Sequence, residues 1–370
     1  MSDTEKKQTG VKRVAAADTE AKSKSKAALR TDGSLASSSK RARTVSKNHT
    51  EDCRDSDCQG CAGGEIALDP EILALPAEKI LALAEQEEAE GGDRSVVTKL
   101  YEASVEKFAG QGTLDSAWAL LRCAEFVDYE EYAADAVAVA KKAKCTDKGD
   151  NARALLINGR AQVLRICLRQ ENRCSQQDED TEQLSADIFG KQELDQGLAD
   201  IAASLKSISG EENISAVAEN TLAFFSARCQ QRHSLIHSLQ LALLDSALDI
   251  AIRHVDWTAK QSTGSHVLAC KIAIWWAMAM ADSALEDEAQ SRAVEKRLGP
   301  IITYLETQSS DVSSYKLHAQ LLIVLSSVLA DEDKVVEAFD SAIRILQAAR
   351  QIAPEDQDII NQLEDLEAEV

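Results

Sequence analysis

The chain has 370 residues, of which 44% are hydrophobic and only 4% aromatic, with four Pro, 16 Gly and a net charge of −21. That length fits one large domain or two ordinary ones, and the scarcity of Pro and Gly disfavours a many-turned β fold. Residues 1–50 hold 12 Lys and Arg against 5 Asp and Glu, whereas residues 65–370 hold 28 against 53, a net −25; such an acidic body repels phosphates and excludes general nucleic-acid binding. A protein partner with a basic or mixed-charge surface fits it better.

Residues 1–64 are rich in Ser, Lys, Ala, Thr and Asp, contain no aromatic residue and show no apolar period. They are expected to be a disordered basic tail. Inside it Ser39-Lys40-Arg41-Ala42-Arg43-Thr44 forms a short basic cluster, and Lys40, Arg41 and Arg43 are the candidate nuclear import signal. The polar first 35 residues give no secretory signal, and no run of ~18 uncharged apolar residues predicts a membrane span. Nine Cys, mostly scattered through helical segments, point to reduced thiols in an intracellular protein.

His49, Cys53, Cys58 and Cys61 put four soft ligands within 13 residues. They could chelate zinc once the thiols ionise. The spacing matches no standard finger and little apolar sequence surrounds it, so a flexible linker is the reading adopted.

Order is expected from Asp69-Pro70 onward, over residues 65–370. Ile80, Leu81 and Ala84 open a helix, Gly91-Gly92 stops it, and Asp93 caps the next. That helix shows Val97, Leu100, Tyr101, Ser104, Val105 and Phe108, the period of one buried face. Leu114 to Ala143 reads as a helical hairpin turning at Asp128-Tyr129-Glu130. A third helix starts near Asp150. Arg169 to Lys191 is polar and predicted to be a long solvated loop, a possible boundary between two halves. Its Asp178-Glu179-Asp180 run reads as a solvated charge cluster.

Helices resume at Leu194, and Ser209 with Glu212 makes a capping-box pair. Cys229, His233 and His237 fall at i, i+4 and i+8, so one helix would place them on one face, a second candidate metal set lacking the Glu of H-E-x-x-H. Val267–Leu285 is apolar on nearly every side, with Trp275 and Trp276 adjacent and Lys271 inside, and such a helix must be covered by others. A partner helix over Gln290–Leu305 is predicted to break or kink near Gly299-Pro300. A second hairpin puts Leu317, Leu321, Val324, Leu325, Val328 and Leu329 on one face. Its return helix presents Val335, Ala338, Phe339, Ala342, Leu346 and Ala349. Pro354 is expected to start a last, capping helix.

Ala342, Leu346, Ala349 and Pro354 follow the second half of a tetratricopeptide-type repeat, and Ala133, Val137 and Ala140 echo it. The fold class is therefore all-α, a degenerate helical-repeat solenoid. Such a stack leaves a groove that binds peptides or protein domains.

The plan of the chain resembles the fungal family named enhancer of translation termination. The resemblance rests on the basic tail, the segment Leu100-Tyr101-Glu102-Ala103-Ser104-Val105-Glu106-Lys107-Phe108, and the repeat Ala338–Pro354 with a final helix. It implies a nuclear, non-enzymatic adaptor that binds a prolyl-hydroxylase-like dioxygenase, a 2-oxoglutarate enzyme, and acts in translation termination and oxygen-responsive transcription. It implies no cofactor. The alternative is a peptide-binding co-chaperone or import adaptor. No G-x-x-x-x-G-K-[ST], G-x-S-x-G or H-E-x-x-H occurs.

Overall fold

A computed structural model describes residues 68–176, 190–208, 211–230, 236–259, 262–282, 288–308 and 311–369. All of them lie in the second of two units into which the chain divides, residues 42–370. Fourteen helices and no strand occur among the described residues. They are α1 (Pro70–Leu73), α2 (Ala77–Ala89), α3 (Arg94–Phe108), α4 (Leu114–Val127), α5 (Glu130–Lys142), α6 (Lys148–Gln176) and α7 (Lys191–Ser207), followed by α8 (Glu211–Gln230), α9 (His237–His254), α10 (Gly264–Asp282), α11 (Glu288–Thr307), α12 (Val312–Ser326), α13 (Glu332–Ile352) and α14 (Gln357–Glu369).

Short polar residues start many of these helices. The side chains of Asp93, Thr113, Asp311 and Asp331 each accept a hydrogen bond from a first-turn N–H. Each such cap is worth about 1 kcal/mol. Asp128 ends α4 in the left-handed conformation, at φ 57°. That conformation turns the chain directly into α5 and makes the predicted hairpin.

Packing is local along the chain. Each helix from α2 to α14 packs on its chain neighbours, and α4, α8 and α12 also meet α6, α10 and α10 respectively. This neighbour and next-neighbour pattern is that of a helical-repeat solenoid. The helix α10 packs on four others, α8, α9, α11 and α12. By length and composition alone α10 could cross a membrane, but 56% of that stretch is buried inside the protein. Its Lys271 side chain is on the exposed side, which is how one charge is tolerated in so apolar a helix.

A buried ionic network joins α4, α6 and α8. Arg160 is 1% exposed and bridges to Glu125 at 2.7 Å, while Arg122 reaches the same carboxylate at 2.5 Å. Arg160 also donates to Asn220 and lies over the rings of Trp118 and Phe224, 5.4 and 4.9 Å from their centroids. The two guanidinium groups outweigh the cost of burying Glu125 and hold its carboxyl below the usual range. Below this network α6 and α7 touch through backbone at Gly159 and Gly197.

Three local expectations are corrected. Arg169 to Gln176 is not loop but the last two turns of α6, because Arg165 and Arg169, one turn apart, face Glu130 and Glu193. Helix α11 does not break at Pro300: Gly299 has no Cβ to meet the proline ring, and Pro300 is exposed. Pro354 lies in a turn, and the last helix starts at Gln357, where the Asp356 carboxylate accepts the Asp358 N–H. The expected face of Leu317, Leu321, Val324, Leu325, Val328 and Leu329 does pack into the central core, and Ala319 and Leu322 give α12 a second buried face in a C-terminal cluster.

Candidate functional site

The residues nominated for chemistry do not assemble among the described residues. Helix α8 ends at Gln230 and α9 begins at His237, so Cys229 and His237 lie on different helices and the single-face reading fails. His233 lies outside the described residues, as do Lys40, Arg41, Arg43, His49, Cys53, Cys58, Cys61 and Asp178-Glu179-Asp180. No group of three or more His, Cys, Asp and Glu placed to hold a metal occurs among the described residues. Burial pushes the Cys123 and Cys270 thiols up to about 12, and raises Cys167 further. A thiol so far from ionisation at neutral pH is a poor nucleophile.

The structure instead opens a groove of about 470 Å³ near the C-terminus, between α11 and α13 and floored by α12. The volume lies within the roughly 300–1,000 Å³ typical of binding clefts. One end is closed by Lys334, which meets the Glu295 carboxylate at 2.7 Å, and nearby the Ala330 N–H donates to Ser291 Oγ at 3.1 Å. These ties bring the starts of α11 and α13 together, so both helices run the same way along the groove. From Glu295 to Glu306 the wall is about 16 Å long, at 1.5 Å per residue.

Leu322, Leu325 and Leu329 line the floor at i, i+3 and i+7 of the segment that starts in α12, and Ile302, Ala338 and Ile345 line the sides. Glu306 and Glu337 are exposed on the rim, and neither has an ion-pair partner among the described residues. Arg344 is engaged locally, donating to the Asp340 carbonyl and Ser341 Oγ.

His318 sits in the lining and is only 7% exposed. Its imidazole makes no hydrogen bond among the described residues, and burial alone lowers its pKa to about 4. Protonation would place a charge among leucines. The unfolded chain takes up that proton below its ordinary 6.5, and the folded chain only near 4. Stability contributed by neutral His318 is therefore complete above pH 6.5 and lost as pH falls from 6.5 to 4. The expected loss is on the order of 2–3 kcal/mol. Thermal melting of His318→Leu across that range should be flatter than wild type by this amount; parallel curves would refute the assignment.

A second cleft, about 380 Å³, lies at the turns after α2 and α4. Its charges are already matched: Arg228 Nη1 meets Asp128 at 2.8 Å, and the Glu88 and Glu125 carboxylates hold Arg122. The C-terminal groove, with unmatched rim carboxylates, is the better candidate site. No local pattern announces it, since its leucines read as ordinary core. The one visible signal was His318, a polar residue between apolar neighbours on α12.

No family model matches the chain, and no curated protein matches it. Among solved structures, the chain is similar to Nro1, described as a hypoxic regulator of sterol synthesis that is a nuclear import adaptor. The TM-score is 0.50 at 10% identity, over 80% of this chain and 93% of that one. A further structure of the S. pombe nuclear import adaptor Nro1 gives a TM-score of 0.48 at 11% identity, over 80% and 99% of the two chains. At such identity the likeness shows a shared all-helical repeat fold.

Proposed function

We propose that the chain is a non-enzymatic adaptor of the nucleus, which binds a protein partner and carries it in as an import adaptor does. The observation that carries this reading is the fold, shared over four fifths of the chain with a protein described as a nuclear import adaptor. Two features of the chain agree with it. The C-terminal groove is large enough to seat a segment of another protein. The basic cluster of Lys40, Arg41 and Arg43 is of the kind an import receptor reads on an exposed tail. The family resemblance adds a prolyl-hydroxylase-like dioxygenase as the expected cargo, and through it effects on translation termination and oxygen-responsive transcription.

Affinity purification of the full chain from its own cells tests the reading. One stoichiometric partner is expected. A spread of unrelated weak clients would favour a peptide-binding co-chaperone, and the absence of any partner would remove the adaptor role.

A further inference from the structure

The C-terminal groove has three properties that together define what fits it. Its floor is a single stripe, Leu322, Leu325 and Leu329, spaced as one face of a helix. Its rim carries two exposed carboxylates, Glu306 and Glu337, unpaired among the described residues. Its lining holds one imidazole, His318, more than nine-tenths buried and without a hydrogen-bond partner there. Its ring nitrogens are not among the fully sealed, unpartnered polar atoms, so they reach the groove, where a ligand group can bond to them.

An apolar stripe between two parallel helix walls is matched by a helix, whose own ridge of i, i+3, i+4 and i+7 side chains settles into it. The wall of about 16 Å takes roughly three turns of such a helix. The rim carboxylates Glu306 and Glu337 favour positive charge beside the ridge, with Arg344 the one cation of the lining without a carboxylate partner among the described residues. A neutral imidazole offers one donor and one acceptor nitrogen, so a polar side chain near one end of the ridge can satisfy it.

We propose that this groove receives an amphipathic helix of the protein partner, with its apolar ridge on Leu322, Leu325 and Leu329 and flanking Lys or Arg side chains on Glu306 and Glu337. The proposal rests on the adaptor reading and names the chemistry of the segment that the adaptor grips. His318 sets the register, because a helix shifted by one turn leaves the imidazole unpaired.

The test uses a display library of 16-residue peptides selected against the full chain, with synthetic copies of the enriched peptides as probes. Enriched sequences should place Leu, Ile, Met or Phe at helical spacing with Lys or Arg beside them. Their affinity should fall at least about tenfold on Glu306→Lys/Glu337→Lys, and about fivefold on His318→Leu. Both glutamates are exposed, so melting temperature should be unchanged by the charge reversal. Peptides that bind the double variant equally, peptides with acidic flanks, or no enrichment would overturn the proposal. So would tight binding of a peptide of residues 36–50, which would assign the groove to the chain's own basic tail. The two readings fail separately. If the double variant still captures the stoichiometric partner, the groove assignment fails and the adaptor stands; if the wild type captures none, the adaptor reading fails.

Discussion

Glu125→Ala is expected to cost about 3–5 kcal/mol of folding stability, because it strands Arg160 and weakens the hold on Arg122. Arg160 is fully enclosed between α4, α6 and α8, with Trp118 and Phe224 against its plane. Without the carboxylate its guanidinium keeps Asn220 and the ring faces but no counter-charge. In thermal melting this should appear as a fall of roughly ten degrees. The double replacement Glu125→Leu/Arg160→Met removes both charges from the same volume and should cost far less than the sum of the two single changes. A Glu125→Ala variant within about 0.5 kcal/mol of wild type would mean that the network does not hold these helices together.

Gly159→Ala should destabilise the chain by about 1–3 kcal/mol, and Gly159→Val by more. In an isolated helix the alanine change would help by ~1 kcal/mol, so its sign separates the two effects. A Cβ at Gly159 would lie 2.5 Å from the Gly197 carbonyl oxygen and 2.8 Å from Ile201 Cγ1. The first is backbone and cannot rotate aside, so α6 and α7 must separate. Their contact is the most extensive helix pairing in the chain, and separation loosens the packing of Ile157, Val163 and Ile201 around it. Chemical denaturation of the two variants measures this. A stabilised Gly159→Ala would show that the helices do not approach so closely.

Both features show where sequence stops being informative. The helices themselves were readable, since Val97, Leu100, Tyr101 and Phe108, or Ala133, Ala136, Val137 and Ala140, repeat at 3.6 and end up buried. The Asp93 cap and the Asp128 turn were readable for the same local reason. Partners distant in sequence were not. Glu125 and Arg160 are 35 residues apart, and nothing near either reveals that the charges meet. Gly159 looks like a weak helix position until Gly197 is placed against it.

The polar run after Arg169 conceals its helix for a related reason. Its Arg side chains pair with Glu130 on α5 and Glu193 on α7, so a face that looks solvated is a salt-bridged helix surface. The groove was hidden differently. Leu322 and Leu325 have the spacing of core and are largely buried, so nothing in their pattern marks them as the floor of a cleft. Cys229 and His237 share no helix face because α8 ends at Gln230 and α9 begins at His237.

The chain's proposed import role has one direct test. The direct measurement is the nuclear share of its stoichiometric partner, compared in cells with the wild-type chain, without it, and with Lys40→Ala/Arg41→Ala/Arg43→Ala. The account predicts a partner that is nuclear only with the wild-type chain and retained in the cytoplasm in the other two. A partner equally nuclear in all three would contradict it.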